Sequence, residues 1–246
     1  MSDETVRYIL HEASVDPAPA DIILVHGALD RGMAFRKVAQ QLHQYNVTMY
    51  DRRGYGASVD LAPTTDMDVH IADLLGLMAD GPTVVIGHSF GGLISLCAAA
   101  KHPDRFAALG IYEAPMPGAK LGEDGGAPPS DADDLVRWFY GRQGDDAFDQ
   151  VPERAQAALF AEGPGLAADL TVIANLAEPL DPTTIATPTV VGYGSESAAR
   201  HITRSEALVE QLPTAQVFVA EGAKHPCHRT HPGEFATFIK TTLELV

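Results

Sequence analysis

The chain has 246 residues, of which 46% are hydrophobic and 20% are charged, and 17 Lys and Arg against 33 Asp and Glu give a formal net charge of −16. This length and composition are typical of a globular protein with one full-size domain and exclude a disordered or coiled-coil chain. Nucleic-acid phosphates and anionic membrane surfaces repel a chain this acidic, so neither is expected as a partner.

Short apolar runs alternate with segments of helical period along the chain. The predicted strands cover residues 5–10, 22–25, 46–50, 83–86, 106–112, 189–191 and 216–219. The predicted helices of the same region cover residues 33–44, 67–79, 93–101, 205–211 and 232–245. Continuous apolar strands alternating with helices indicate an α/β fold with a mostly parallel, doubly wound sheet flanked by helices.

The segment 115–187 interrupts this alternation and contains helical patterns without a strand of the main sheet. We therefore expect a core formed by residues 1–114 and 188–246 and a helical cap, or lid, formed by residues 115–187. A set of large apolar residues in this insertion is expected mostly to pack onto the core, with a few facing a substrate. They are Trp138, Phe139, Tyr140, Phe148, Leu159, Phe160, Leu166, Leu170, Ile173 and Leu176.

The two cysteines and the N-terminal segment bear on the cellular compartment. Cys97 and Cys227 cannot build a disulfide framework in a domain of this size, and free thiols are expected. The acidic N-terminal segment lacks the pattern of a signal peptide, and no run of about 20 apolar residues predicts a membrane span. These features predict a cytoplasmic protein; they do not predict its oligomeric state.

The strongest local signal is the G-x-S-x-G motif at residues 87–91, which follows the predicted strand 83–86 and precedes the helix 93–101. A tight strand-to-helix turn of this kind, a nucleophile elbow, holds its serine in a strained conformation above the edge of a sheet. The helix N-terminus also favours negative charge that develops there. Ser89 is therefore a candidate nucleophile. The alternative is a glycine-rich turn in which Ser89 only caps the helix.

Three further motifs occur in the same order as in a known family. His26-Gly27-Ala28 follows the strand 22–25, Asp51 to Ser58 reads D-x-R-G-x-G-x-S after the next strand, and Gly222 to His225 precedes His231-Pro232 and the last helix. Together with the elbow, these motifs resemble the α/β-hydrolase family over roughly residues 20–115 and 186–240. The resemblance implies the α/β-hydrolase fold and a cofactor-independent serine hydrolase.

The resemblance also implies site residues. His225 is the expected general base for Ser89, and the backbone N–H groups of Ala28 and Phe90 are the expected oxyanion hole. His228 is expected beside the pocket and His231 before the last helix, although both compete for the role of the base. A metal site built from the histidines and Cys227 is a weaker alternative, because their spacing does not match a usual zinc pattern. No metal or other cofactor is expected.

The third member of the catalytic triad is a carboxylate that orients the histidine. The family most often carries it after the strand at 188–191, but here Ser197 occupies that position and Glu196 precedes it. Some members carry the acid one strand earlier, where Glu113 directly follows the strand 106–112. A glutamate at the end of a buried strand needs a partner, and His225 would supply one. Glu113 is therefore favoured over Glu196.

The predicted function is hydrolysis of a carboxylic ester, lactone or related acyl bond of a small molecule through an acyl-enzyme. Two alternatives remain open. The same site could serve a non-hydrolytic reaction, such as acyl transfer, C–C cleavage or perhydrolase chemistry of the cofactor-free haloperoxidase kind. The fold could also belong to a ligand receptor without turnover, because shared folds host unrelated functions.

Overall fold

The computed structural model describes residues 5–116, 126–141, 148–176 and 179–246. Its strands are β1 Tyr8–His11, β2 Asp21–Val25, β3 Asn46–Tyr50, β4 Thr83–His88, β5 Phe106–Tyr112, β6 Thr189–Gly194 and β7 Ala215–Ala220. Its helices are α1 Arg36–Ala39, α2 Met67–Leu75, α3 Phe90–Lys101, α4 Ala132–Gly141, α5 Glu153–Ala161, α6 Gly163–Ala174, α7 Ala199–Gln211, α8 Cys227–Thr230 and α9 Pro232–Leu243.

The described strands form one sheet in the order β1-β3-β2-β4-β5-β6-β7. β1 pairs with β3 in the antiparallel direction at one edge, and the other neighbours are parallel. The predicted mostly parallel, doubly wound sheet is confirmed. Because parallel strands end on the same side, the loops after β2, β4, β5, β6 and β7 meet at one edge of the sheet.

The alternation of side chains along the strands divides the apolar core between the two faces of the sheet. On one face, Ile23 and Val25 of β2 lie in a buried cluster with residues of α2, α3, α7 and the insertion. On the other face, Ile22 and Leu24 lie in a second cluster with residues of α1 and α9. Each such side chain stabilises the fold by about 1.5–3 kcal/mol when it is fully buried. Burial of these side chains therefore stabilises the packing of both helical layers on the sheet.

Several helix boundaries differ from the prediction. The segment predicted as a helix over 33–44 contains a 3₁₀ turn at Gly32–Phe35 followed by the short α1. Beyond α1, the N–H groups of Gln41 and Leu42 donate to carbonyls three residues back, so the chain continues in tighter turns. In contrast, α7 begins at Ala199, six residues before the predicted start at 205.

The insertion contains α4, α5 and α6, whose buried apolar residues belong to the same cluster as one face of the sheet. Two buried carboxylates tie it to the core: Asp169 pairs with Arg52 at 2.6 Å, and Glu162 pairs with Arg31 at 2.6 Å. Residues 117–125, 142–147, 177 and 178 of this segment lie outside the described residues. The division of the chain into a core and a cap at 115–187 stays a prediction.

No helix in the described part of the chain is both long and apolar enough to span a membrane by itself. The bent pair α5 and α6, which meet at an angle of 50°, meets the length and composition criteria only when the two are taken together.

Candidate active site

Ser89 lies in a sharp turn between β4 and α3, as the sequence predicted. Its φ of 52° and ψ of −124° place a non-glycine residue in a conformation that L-residues rarely adopt. Among residues 83–99, all of which are described, Ser89 is the one that is not buried. It occupies the N-cap position of α3, yet its side chain makes no capping hydrogen bond there. A strained, accessible hydroxyl that does not cap its helix fits a nucleophile better than a structural cap.

The loop after β2 passes directly beside this turn. A Cβ built on Gly27 would lie 2.9 Å from the Cβ of Ser89, so only glycine permits this approach. The next residue, Ala28, is partly exposed, whereas residues 22–27, 29 and 30 are buried. Phe90, the other residue expected in the oxyanion hole, is the first residue of α3. The structure thus brings the segments that carry both expected N–H donors to Ser89.

Glu113 and His225 form a close side-chain pair at the same edge of the sheet. The Nδ1 atom of His225 lies 2.6 Å from Oε2 of Glu113, which is only 1% exposed. The other carboxylate oxygen accepts hydrogen bonds from the backbone N–H of Gly194 at 2.9 Å and from the hydroxyl of Ser197 at 2.5 Å. Ser197, at the position where the family more often carries its acid, here serves as a donor to Glu113.

The electrostatics of this pair set the tautomer of the histidine. Burial alone would raise the pKa of Glu113, but the hydrogen bond to His225, the charge of His225 when it is protonated and the N–H of Gly194 outweigh it and lower the pKa. An ionised carboxylate only accepts hydrogen bonds, so Nδ1 of His225 carries the proton. Nε2 of His225 is then the ring nitrogen that can accept a proton.

His225 is also joined to the turn that contains Ser89. The ring of His88, the residue before Ser89, lies 4.7 Å from the ring of His225, and its Nε2 donates to the backbone oxygen of His225 at 2.9 Å. The N–H of Ser89 donates to the backbone oxygen of Tyr112 at 2.8 Å, and Tyr112 is the residue directly before Glu113. The turn that holds Ser89 therefore contacts both segments that carry the His225–Glu113 pair.

The second candidate acid, Glu196, is not part of this pair. Its side chain is exposed, and its backbone N–H donates to the oxygen of Ala223 at 3.0 Å. Among the two candidates, Glu113 is the carboxylate that contacts His225. The φ of Glu113, 47°, places this non-glycine residue in the left-handed region directly after β5.

The remaining residues of the His225 loop have separate partners. His228 is buried, and its Nε2 lies 2.9 Å from Oδ2 of Asp30. Burial alone would raise the pKa of Asp30, but His228 and Arg229 lower it well below its ordinary value. His231 occupies the N-cap position of α9, as expected, although it makes no side-chain capping bond. Cys227 and Cys97 are both buried, and neither forms a disulfide bond within the described part of the chain.

Two groups of described side chains have the chemistry of metal ligands. They are Glu113 with His201 and His225, and Asp30 with His88 and His228. Neither matches the set considered from the sequence, because Cys227 and His231 belong to neither group. The short hydrogen bonds His225–Glu113 and His228–Asp30 already use a ligand atom of each carboxylate.

Sequence reasoning missed His201. Its ring stacks on that of His225 with centroids 4.3 Å apart and planes 18° apart, and its Nδ1 lies 3.6 Å from Oε2 of Glu113. Burial and the charge of His225 lower the pKa of His201 to about 3, so the stacked ring is neutral. His201 lies in a polar stretch at the start of α7, where no local pattern indicates that it faces the site.

The family model described as the alpha/beta hydrolase family matches residues 22–238 of this chain. The chain belongs to the alpha/beta hydrolase family. The predictions of this family, of its fold and of a hydrolase as the type of enzyme are confirmed.

Relatives of this hydrolase include named esterases and lipases. The pimeloyl-[acyl-carrier protein] methyl ester esterase of Chromobacterium violaceum is 29% identical over 245 residues, which cover 91% of this chain and 94% of that protein. Lipase LipV of Mycobacterium tuberculosis is 37% identical over 107 residues, which cover 42% of this chain and 41% of the lipase. The coarse prediction of an ester hydrolase agrees with both names.

Solved structures share the fold of this hydrolase over nearly its whole length. A thermophilic esterase from Thermogutta terrifontis superimposes with a TM-score of 0.75 and 21% identity, covering 97% of this chain and 93% of that one. A bromoperoxidase from Bacillus anthracis superimposes with a TM-score of 0.73 and 20% identity, covering 97% and 95%. At these identities the likeness shows the fold alone.

Proposed function

We propose that this hydrolase cleaves a carboxylic ester, a lactone or a related acyl bond of a small molecule through an acyl-enzyme on Ser89. The observation that carries the proposal is the 2.6 Å contact between His225 and the buried Glu113, in loops that contact the Ser89 turn. The names of the relatives, which include a methyl ester esterase and a lipase, support an ester as the substrate.

In the first half of the reaction, His225 takes the proton of the Ser89 hydroxyl as its oxygen attacks the carbonyl carbon. The C=O bond becomes a C–O⁻ bond, and the oxyanion is held by the backbone N–H groups of Ala28 and Phe90. Collapse of this intermediate expels the alcohol, which takes the proton from His225. Because Glu113 is ionised, it stabilises the imidazolium that forms between these two transfers.

In the second half, His225 takes a proton from a water molecule, which attacks the acyl-enzyme carbonyl. The same two N–H groups hold the second oxyanion, and the proton then passes from His225 to the Ser89 oxygen as the acid leaves. Every proton transfer uses Nε2 of one histidine, so neither a metal nor an organic cofactor is required. The cap and the cytoplasmic location expected from the sequence stay predictions beside this mechanism.

The test is hydrolysis of short-chain p-nitrophenyl esters by the wild type, Ser89→Ala and Ser95→Ala. Loss of the nucleophile lowers kcat by at least about 10³-fold. Ser95 is a matched control in the same helix, where its hydroxyl donates to the backbone oxygen of Gly91 at 2.7 Å. We expect Ser95→Ala to keep kcat within a few-fold of the wild type.

A fluorophosphonate probe, followed by mass spectrometry, distinguishes the alternatives. Labelling of Ser89 with ester turnover supports the proposal, and labelling without any turnover favours a receptor. Turnover that is equal in the wild type and in Ser89→Ala contradicts the proposal. Adding a second alcohol to the assay separates acyl transfer from hydrolysis, because transfer yields a new ester instead of the acid.

A further inference from the structure

Arg52 is a fully buried arginine that the proposed mechanism does not use. Its side chain is 1% exposed, and its guanidinium donates to the backbone oxygens of His26 at 3.1 Å and Gly27 at 2.9 Å. The same guanidinium makes a bidentate pair with Asp169 of α6 at 2.9 and 2.6 Å. Burial alone would lower the pKa of Arg52, but Asp169 raises it above its ordinary value. The arginine is therefore a charged, rigid group that links the loop after β2 to helix α6.

The loop it holds is the one that carries Ala28. The carbonyl of Gly27 and the N–H of Ala28 belong to one planar peptide unit and point in opposite directions. A donor that fixes the Gly27 oxygen therefore also fixes the direction of the Ala28 N–H. This N–H is one of the two donors proposed for the oxyanion.

A second donor to the Gly27 oxygen depends on the same residue. The backbone N–H of Arg52 donates to Nε2 of His26 at 2.9 Å, so the proton of the neutral His26 ring is on Nδ1. Burial and the Arg52 charge lower the pKa of His26 to about 4, which keeps the ring neutral. Its Nδ1 then donates to the Gly27 oxygen at 2.8 Å. The side chain of Arg52 thus makes one of the two hydrogen bonds to the Gly27 oxygen, and its backbone N–H sets the His26 tautomer that makes the other.

On the far side, Asp169 holds the guanidinium in place. This carboxylate is 1% exposed and also accepts a hydrogen bond from the Tyr55 hydroxyl at 2.7 Å. It lies on α6, which packs in the insertion against α4 and α5. A continuous series of hydrogen bonds therefore leads from the cap helix through Arg52 to the Gly27–Ala28 peptide.

We propose that Arg52 is a positioning residue that orients the Ala28 amide of the oxyanion hole, and that Asp169 couples this orientation to cap helix α6. The inference rests on the proposed function for its effect on rate, although the orientation of the peptide is a structural property. A bulky substrate that displaces α6 would therefore change the orientation of the Ala28 N–H through the Asp169–Arg52 pair.

The main test uses Asp169→Asn, which keeps the size of the side chain and removes its charge. We expect kcat for a p-nitrophenyl ester to fall by about 10-fold with little change in KM, because an oxyanion donor acts mainly in the transition state and its full loss costs about 10²–10³-fold. Affinity for a boronic acid, which forms a tetrahedral adduct with Ser89, should fall in parallel. A purely structural role would not link these two quantities.

Asp73→Asn is the matched control. Asp73 forms the neighbouring bidentate pair with Arg53 at 2.6 and 2.9 Å, and both side chains are largely buried. We expect this variant to lose stability but to keep kcat and boronate affinity within about twofold of the wild type. Equal losses of kcat in the two variants would overturn the inference, because they would show a general effect of breaking a buried pair.

A crystal structure of Arg52→Met gives a second readout that does not depend on activity. If Arg52→Met does not fold, the crystal structure of Asp169→Asn takes its place. We expect the Gly27–Ala28 peptide to be rotated, and an unchanged peptide plane would overturn the inference. If the wild type shows no Ser89-dependent turnover, the proposed function fails and the crystal structure alone decides the inference. If turnover depends on Ser89 but Asp169→Asn keeps wild-type kcat and boronate affinity, the inference fails alone.

Discussion

Glu113 illustrates how a single residue acquires its properties from several neighbours. Its carboxylate ends a buried strand and would be costly there without partners. It receives hydrogen bonds from His225, Gly194 and Ser197. Breaking this set leaves either a buried charge or an unpaired histidine proton, so substitutions at this position should affect function more than substitutions at an exposed carboxylate.

The role of Glu113 is tested by comparing kcat of Glu113→Gln with kcat of Glu196→Gln. We expect Glu113→Gln to lower kcat by about 10²–10⁴-fold, because an amide at this position permits the wrong tautomer of His225 and does not stabilise the imidazolium. The exposed Glu196→Gln should keep kcat within about twofold. The measurement is steady-state ester hydrolysis, with circular dichroism to show that both variants fold. A larger loss in Glu196→Gln would contradict the assignment of Glu113 as the acid.

At the scale of elements, the elbow depends on close contact between α3 and the end of β2. A Cβ on Gly91 would lie 2.2 Å from the backbone oxygen of Val25 and 2.7 Å from that of His26. These are backbone atoms of the last residue of a central strand and of the residue that follows it, and they cannot move aside. The helix can approach the strand, and so present Ser89 above the sheet, only because residue 91 has no side chain.

We therefore expect Gly91→Ala to lower the free energy of unfolding by about 2 kcal/mol and to reduce ester turnover, because the overpacked contact moves the Ser89 turn. Gly141→Ala is the control: at this exposed residue at the end of α4, an added Cβ would meet no atom of the described residues within 4 Å. Alanine there should raise stability by up to about 1 kcal/mol. Urea unfolding measures both changes, and a neutral Gly91→Ala would show that the contact relaxes freely.

At the scale of the whole molecule, several buried histidines should make stability depend on pH. Burial, as the largest cause, lowers the pKa of His26 and His70 to about 4 and that of His201 to about 3. In the unfolded chain these groups take up protons below about pH 6.5. Between pH 6.5 and 4 the unfolded state therefore binds more protons, and stability falls as the pH is lowered.

Thermal unfolding from pH 7 to pH 4.5 measures this effect. Each such histidine contributes a loss of about 1.4 kcal/mol per pH unit once its unfolded form is fully charged. His70→Phe retains a ring beside Phe90, whose centroid lies 5.6 Å from that of His70, and removes one titrating group. We expect a shallower fall of Tm with pH in this variant. An unchanged slope would show that His70 takes up a proton in the folded state as readily as in the unfolded chain.

Local sequence patterns were sufficient for the fold class, for most strands and for the turn that contains Ser89. The apolar runs of β2, β4 and β5 are continuous because parallel strands are covered on both faces. The elbow is likewise local, since its glycines, its serine and the flanking strand and helix lie within about 20 residues of sequence. The helix ends at α1 and α7 were less well predicted, because they depend on which hydrogen bonds the flanking turns form.

The sequence alone determined the family, the parallel sheet and the residues expected to act as nucleophile and base, because each depends on short-range periodicity or on a compact motif. The sequence favoured Glu113 over Glu196 as the partner of His225, but only the tertiary structure showed which of the two contacts it, since both follow a strand end. The tertiary structure also decided that Arg52 meets Asp169, 117 residues away in the chain. Such pairs join residues that are far apart in the sequence and come into contact only where strands and helices pack together in the folded core.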